Sequence, residues 1–425
     1  MADTKVLVKN CTLLPSEGSS LQEEQNITAG IVAIDYFESI ENPSIALLVT
    51  FIDTDQVVGR LGIQGGEFVE LSVTSGDEEI EFKITEKDHK LILNSVRNVT
   101  TTHNSQVATL EFVSVETYVD QTARLNKKFT GNVSETVKDI LTKDSKGIKT
   151  KKKLFGPKTE TTSGDIKIKK DRATNSYSFV GNLKHPFDTI QWLCPKAQAS
   201  KDSFGFLFYE NFDGYHFRSI KSLLEQDAFV YKQSDTDIGT DAVILLSNLN
   251  KTNDIGLNLR LGMYANRTFF IDIEKHTLKE IDYKVEDLGL PNPPKIANEL
   301  ETYPTRLMVK ASDVGVSQKG SLKELIQPDT ELDEKKNKSY IRNNLLFSQS
   351  LNISIPLNTK LRVGYMIDVK FPLKKDDSGD DSVDSYGSER TNDASGRYLI
   401  AELRHLIAGG KSETQLKLIR DVFTV

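Results

Sequence analysis

Several things are missing from this 425-residue chain, and each absence excludes something. It has no run of about 18 or more apolar residues, so no stretch of it reads as a membrane-spanning helix. Its opening, MADTKVLVKN, has no apolar core of the signal-peptide kind, so export by that route is not expected. Cysteine is scarce. Cys11 and Cys194 stand far apart and read as reduced thiols of a protein made in a reducing cytoplasm. A basic excess is also missing, since the formal net charge is −7 and the sequence pI is near 5.6. That argues against a nucleic-acid binder. It allows a surface past which nucleic acid slides, because negative charge repels phosphate. Triplets such as Asn98-Val99-Thr100 and Asn132-Val133-Ser134 have no secretory context and are chance matches to a glycosylation signal.

The signatures of catalysis are missing as well. No Cys or His pair has zinc spacing, and no glycine-rich loop opens a helix to cradle phosphate; Gly65-Gly66 lies between strands. Cys194 and His185 are nine positions apart (194 − 185) across a helix start, which keeps the two side chains from meeting. Cys194 also falls on an apolar stripe and reads as a core thiol. His89 and His405 sit at strand edges without an acidic or serine partner in a recognisable motif. Glu78-Glu79 and Asp380-Asp381 lie in polar turns, where nothing separates the pKa values of a pair. The segment Asp376–Asp393 is rich in Asp, Ser and Gly but lacks the alternating ligands and terminal Glu of an EF-hand. It reads as a surface loop, disordered or contacting a partner, rather than a cation site. No catalytic, cofactor-binding or metal-binding residue is nominated, no cofactor is expected, and the chain is not read as an enzyme.

What is present is a repeat. Gly66-Glu67-Phe68-Val69-Glu70-Leu71 near the front matches Gly364-Tyr365-Met366-Ile367-Asp368-Val369 near the end. Each is a glycine followed by apolar/polar alternation, the signature of a half-buried strand. Lys90–Arg97 matches Arg397–Arg404, and Val107–Phe112 matches Glu413–Leu418. Arg97 to Leu110 spans 13 positions and Arg404 to Leu416 spans 12, so the spacing is kept too. The copies differ between their first and second matches. Gly66 to Lys90 is 24 positions and Gly364 to Arg397 is 33, and the second contains the acidic loop.

The fold class these signals give is α+β and β-rich: two barrel-like β-units from an internal duplication, with an α+β domain between them. The expected division is 1–120, a first β-barrel; 121–225, an α+β domain; 226–345, connecting strands and linker, partly belonging to the second barrel; and 346–425, a second β-barrel with the acidic loop. In the first unit Ile45–Ile52 reads as a strand ending at the turn cluster Asp53-Thr54-Asp55, and Ser75-Gly76-Asp77 as a hairpin loop. In the middle, Asn132 and Glu135 read as a capping box. Val133, Val137, Ile140 and Leu141 then fall on one helix face. Lys149–Lys153 reads as a solvated loop. Pro186 opens a second helix with the stripe Phe187, Ile190, Leu193 and Cys194, stopped by Pro195. Residues 204–220 form an aromatic hairpin around Asn211-Phe212-Asp213-Gly214, expected to pack on the two helices rather than serve as a stacking platform. Leu257–Tyr264 and Arg267–Asp272 read as strands, Pro291-Asn292-Pro293-Pro294 as a linker, and the charged stretch 331–338 as exposed.

With these residues in view, the chain resembles the central baseplate hub protein of T-even-type contractile-tailed phages, most of all the versions carried by related marine phages. The resemblance rests on Gly65-Gly66-Glu67 with its strand, Gly181-Asn182 through Trp192, Phe204 to Leu223, and Gly396 to Asp421 with its "GRYLI…LRH…ETQLKLIRD" run. It implies a structural, non-enzymatic virion protein of the tail baseplate, assembled in the host cytoplasm. It implies a homotrimer whose two tail-tube-like barrels per subunit present six faces to a six-fold tail tube. Other implied partners are tube-initiator proteins, a trimeric spike with or without a lysozyme domain, and further baseplate proteins. DNA would pass through the lumen without specific binding, and an acidic lumen would suit that, with about three times −7 per trimer. No membrane insertion is implied. Two other readings compete: the hub of a related contractile injection or secretion machine, and a wall hydrolase. No needle-like β-helix follows Val425, so a spike is expected as a separate protein. No acid pair sits in a helix-and-pocket context, which places the hydrolase last.

Overall fold

The computed structural model describes residues 6–421 apart from 55–56, 76–80, 88, 102–105, 144–145, 157–160, 164–165, 169–170, 201–202, 234–242, 252–253, 274–275, 291–302, 313–329, 372–393 and 410. The first quarter consists mainly of strands: β1 (Val6–Leu14), β2 (Ile31–Ser39), β3 (Ala46–Asp53), β4 (Phe68–Ser75), β5 (Glu81–Ile84), β6 (Leu91–Thr101) and β7 (Gln106–Ser114). Alternation is what makes them sheet. Ile34 and Tyr36 of β2, and Leu47, Val49 and Phe51 of β3, share one parity and are buried. The 76–80 turn lies outside the described residues, but the strands flanking it pair antiparallel, with Leu71 opposite Ile84.

In the middle, α1 (Val133–Thr142) starts at Asn132, whose side chain accepts from the N–H groups of Ser134 and Glu135. Glu135 lies beside Lys138 and Arg172, at 3.5 and 3.6 Å. The expected stripe Val133, Val137, Ile140 and Leu141 is buried. Pro186 opens α2 (Pro186–Leu193), where its missing N–H costs nothing. The aromatic hairpin is β8 (Phe206–Asn211) and β9 (Gly214–Ser219), paired Phe208 to Phe217. Phe206, Phe208, Tyr215 and Phe217 form one face and pack in a core with both helices, Phe208 lying 5.6 Å from Phe187. Its other face is buried too, with Tyr209 and His216 stacked at 4.8 Å.

There follow β10 (Ala228–Lys232), β11 (Leu246–Lys251), α3 (Ile255–Leu261), β12 (Ala265–Asp272), β13 (Thr277–Lys284), β14 (Arg306–Ala311) and α4 (Thr330–Leu346). Two expectations change here. Leu257–Tyr264 is not a strand. The Asp254 carboxylate accepts from the Leu257 N–H at 2.9 Å and starts a helix, which Gly262 ends at φ +69°. The stretch 331–338 is not simply exposed. It lies in α4, where Asp333, Asn337, Ile341 and Leu345 recur every four residues and are all buried. Ser312 donates to the Asp333 carboxylate (2.7 Å), and the Asn337 amide N–H donates to Asn266 (3.1 Å). The Pro291–Pro294 segment and the acidic loop 376–393 lie outside the described residues. The chain closes with β15 (Gln349–Pro356), β16 (Met366–Lys370), β17 (Gly396–Ala408) and β18 (Lys411–Arg420).

One 14-stranded sheet joins the two ends of the chain, in the order β11-β15-β18-β17-β2-β3-β7-β6-β4-β1, with Gln25–Asn26 beyond β1. Off this path β10 pairs with β16, β16 with β17, and β5 with β4. The first copy is thus β2-β3-β7-β6-β4-β1 and the second β11-β15-β18-β17-β16-β10, the same path through six strands. The expected barrels are not seen closed: among the described residues the path has free ends and does not return to its first strand. Both are open sheets, joined where β17 pairs with β2. They share one hydrophobic core, which includes Leu47 and Phe112 from the first copy and Leu351 and Leu416 from the second.

Candidate functional site: the seam between the repeats

The sequence matches are equivalences in space, down to single hydrogen bonds. The Gly66 N–H donates to the Leu93 carbonyl at 2.9 Å, and the Leu93 N–H returns to Glu67 at 2.7 Å. In the second copy the Gly364 N–H donates to Ile400 at 3.0 Å, and the Ile400 N–H returns to Tyr365 at 2.9 Å. Both glycines have positive φ, +98° and +84°. Phe68 faces Ile92 as Met366 faces Leu399. Even a bulge is repeated: register shifts between Leu93 and Ser95, and again between Ile400 and Glu402.

At the seam, β17 runs antiparallel to β2 from Glu402 opposite Ser39 to Ala408 opposite Ala33. Arg404 clasps Asp35 across it, with Nε and Nη2 at 2.8 and 2.7 Å from one carboxylate oxygen. This pair belongs to the sheet face opposite the core. The same face carries Lys417 on Glu402 and Arg97 on Glu111, both at 2.6 Å. These three pairs balance three cations against three anions.

The tip of the aromatic hairpin is wedged into the seam from the core side. The Phe212 ring stacks on His89 at 3.8 Å and lies near Phe82 and Tyr36, at 5.2 and 6.1 Å, while the Arg362 guanidinium sits 4.6 Å above it. Beneath it, the Glu38 carboxylate is buried and links all three parts. It accepts from the Phe212 N–H (2.7 Å), the Val363 N–H (2.8 Å) and the Tyr36 hydroxyl (2.7 Å). Burial pushes its pKa up to about 7, although Arg362 and these donors oppose the rise. His405, stacked on Tyr36 at 5.8 Å, is driven down to about 3, first by burial and then by Arg362, so its ring is neutral near pH 7. Gly364 admits no side chain, since a Cβ there would meet the Tyr209 hydroxyl at 2.0 Å.

Glu38 is not among the residues the sequence nominates. Its signal is parity: Ile34, Tyr36 and Glu38 alternate on the inward side of β2, so a carboxylate stands where apolar residues belong. Lys152 is the second such residue. The solvated-loop expectation suits the exposed Lys149, Lys151 and Lys153, which line a cleft of about 820 Å³, but not Lys152. That ammonium is turned inward between Glu116 (2.8 Å) and Glu210 (2.5 Å). Burial pulls its pKa down, yet the two carboxylates outweigh burial and leave it raised.

Cys194 and His185 do not form a couple. The thiol donates to the Ile190 carbonyl at 3.4 Å, whereas His185 Nδ1 bonds to the Asp120 carbonyl at 2.7 Å. Cys11 and Cys194 are both free and buried, and burial pushes the Cys11 thiol up to about 12. Glu78-Glu79 and Asp380-Asp381 lie outside the described residues. Among the described residues, no group of three or more His, Cys, Asp or Glu is placed to hold a metal ion. Nor is any helix there long and apolar enough to cross a membrane.

No family model matches the chain. It is 24% identical, over 285 residues, to the "Probable baseplate hub protein gp334" of Vibrio phage KVP40, covering 61% of this chain and 63% of that one. The match thus spans somewhat less than two thirds of the relative's length. Two solved structures share the fold over nearly the whole chain. A tail protein from Neisseria meningitidis MC58 superposes with a TM-score of 0.53 at 12% identity, covering 98% of this chain and 96% of that one. The 43 kDa tail protein of prophage MuSo2 from Shewanella oneidensis does so with a TM-score of 0.51 at 10% identity, covering 97% and 98%. The strand-rich fold is therefore shared with these two solved tail proteins, and the resemblance to a baseplate hub is borne out by the phage relative.

Proposed function

We propose that this chain is the central hub of a contractile-tail baseplate, a structural protein that acts by geometry rather than chemistry. The observation that carries the reading is the duplicated six-strand path, with its two copies joined edge to edge. A subunit that shows two equivalent sheets lets three copies present six similar surfaces, which is what a three-fold adaptor to a six-fold tube needs. A trimeric spike would meet the part in which the copies differ, the α+β domain between them. The division at about 120, 225 and 345 is proposed on the same grounds.

We place the DNA passage on the sheet face opposite the core. With Asp35–Arg404, Glu402–Lys417 and Arg97–Glu111 paired, its charge near the seam is balanced rather than acidic. Paired charges offer phosphate little net attraction, so a duplex would slide past rather than stick. The reading requires no catalytic step. Light scattering of the purified chain, alone and with its spike, should give the mass of three copies, and negative-stain images should show a three-fold ring with a six-fold-looking rim. A monomer that ignores both tube and spike proteins would overturn it.

A further inference from the structure

The cleft of about 820 Å³ noted above opens where three parts of the molecule meet. The turn before β6 supplies Lys87 and Lys90, the segment 148–153 after α1 supplies its lysines, and the hairpin tip supplies Phe212 and Asp213. Val115 and Val119, from the helix Val115–Thr122, add an apolar part. The lining carries six lysines against three carboxylates, in a chain whose net charge is −7. Each of those carboxylates is already engaged. Glu86 holds Lys90 at 2.7 Å, Glu116 holds Lys152 at 2.8 Å, and Asp213 accepts from the Tyr365 hydroxyl at 3.1 Å.

The remaining four, Lys87, Lys149, Lys151 and Lys153, are exposed and have no ion-pair or hydrogen-bond partner among the described residues. Three of them stand on a backbone that is tied down. The Ile148 and Thr150 N–H groups donate to the Ile140 and Leu141 carbonyls at 3.1 and 2.9 Å. The Thr150 hydroxyl donates to Glu116 at 2.7 Å, and Lys153 pairs with Gly214 in a parallel ladder. Ile148, Thr150 and Lys152 are thereby turned inward, which leaves the lysines between them in solvent. The segment is thus fixed before any ligand arrives, which lowers the cost of binding one.

We infer that this cleft binds an acidic peptide segment of a partner protein, one in which carboxylates flank an apolar side chain. The carboxylates meet the four unpaired lysines, and the apolar side chain lies on Val115 and Val119. The volume is that of a pocket which encloses a short ligand. Nucleic acid suits the lining less. Among the described residues it holds no arginine, whose planar fork matches phosphate. The Phe212 ring is already covered, by His89 at 3.8 Å and Arg362 at 4.6 Å, which leaves it no open face for a base. The inference goes beyond the hub reading and does not depend on it.

The probe is a fluorescent heptapeptide of aspartates around one leucine, titrated onto the full chain and read by anisotropy. Saturable binding is expected, and Lys149→Glu with Lys151→Glu should weaken it about ten-fold or more. Lys149→Gln with Lys151→Gln, which only removes charge, should weaken it about three-fold and serves if the reversed pair does not fold. Lys221→Glu with Lys411→Glu changes the net charge equally outside the cleft and should leave binding within about two-fold. No saturable binding to the full chain, or an equal loss in both reversed pairs, would overturn the inference. So would a heptathymidylate that binds as tightly as the peptide, because the cleft would then take phosphate. Binding that appears only after residues 376–393 are deleted would overturn it as well, since the occupant would then be the chain's own acidic segment. None of these outcomes touches the hub reading, which stands or falls on the trimer.

Discussion

The two copies of the β-unit agree on strand order and disagree on how each is bounded. In the first copy β1 lies antiparallel on β4; in the second β10 lies parallel on β16. Either direction satisfies the backbone of a sheet edge, so the incoming strand takes whichever direction its connection supplies. The first copy's strand arrives from the chain start, the second's from the α+β domain. What both keep is the run of five strands with its bulge and glycine turn. The shared part is thus the interior of each unit's path, and the variable part is its last strand.

The sharpest way to break this equivalence is at the two glycines. Both need positive φ, but a Cβ on Gly66 would have only the Ser16 hydroxyl near it, at 3.7 Å, whereas one on Gly364 strikes Tyr209 at 2.0 Å. Gly364→Ala should destabilise the fold by roughly 3 kcal/mol or more, combining overpacking with backbone strain. Gly66→Ala should cost about 1–2 kcal/mol, from the backbone alone. Denaturant melts of the two variants would check this, and equal losses would mean that the hairpin does not wedge the second copy.

A second comparison concerns pH. Glu38 in the folded protein holds its proton to about pH 7, whereas the unfolded chain releases it near 4.5. Between those values the folded state binds more protons, so this contribution to stability falls as pH rises and is flat above about 7. The change is on the order of 3 kcal/mol. His405 acts in the opposite sense, costing stability as pH falls from 6.5 towards 3. The difference between wild type and Glu38→Gln isolates the carboxylate, and its slope across pH 4.5–7 should be lost in the variant. An unchanged slope would mean that Glu38 is not the group that titrates.

The smallest effect separates the seam from its open counterpart. Arg404→Ala should destabilise the single chain by about 0.5–1 kcal/mol, because the Asp35 pair is partly buried. Arg97→Ala, its counterpart on the open edge, should change the fold of one chain by less than about 0.5 kcal/mol. Thermal melts at low protein concentration would expose the contrast, and a larger loss for Arg97→Ala would reverse that order.

Much of this was legible in the residues. The matched runs 66–71 with 364–369, 90–97 with 397–404, and 107–112 with 413–418 occupy equivalent strands. Both helices of the middle domain and the Asp-Gly hairpin form where their capping, stripe and turn residues place them. Where local reading failed, a competing local signal prevailed. In Leu257–Tyr264 the Asp254 cap and the Gly262 stop outweigh an alternating look. In 331–338 the i, i+4 recurrence of Asp333 and Asn337 continues an apolar stripe that charge conceals. Glu38 and Lys152 were hidden for another reason, since the partners that make their burial tolerable come from segments far along the chain.

By itself the sequence determined the period of each element and the existence of two related β-units, because alternation and glycine placement are properties of neighbouring residues. It could not determine that the units remain open, that β17 rather than β6 finds β2 within the chain, or that Phe212 is driven between them. Those outcomes depend on which edges the α+β domain brings within hydrogen-bonding reach. One pair of equivalent edges is satisfied inside the molecule. The other pairs with no further strand among the described residues.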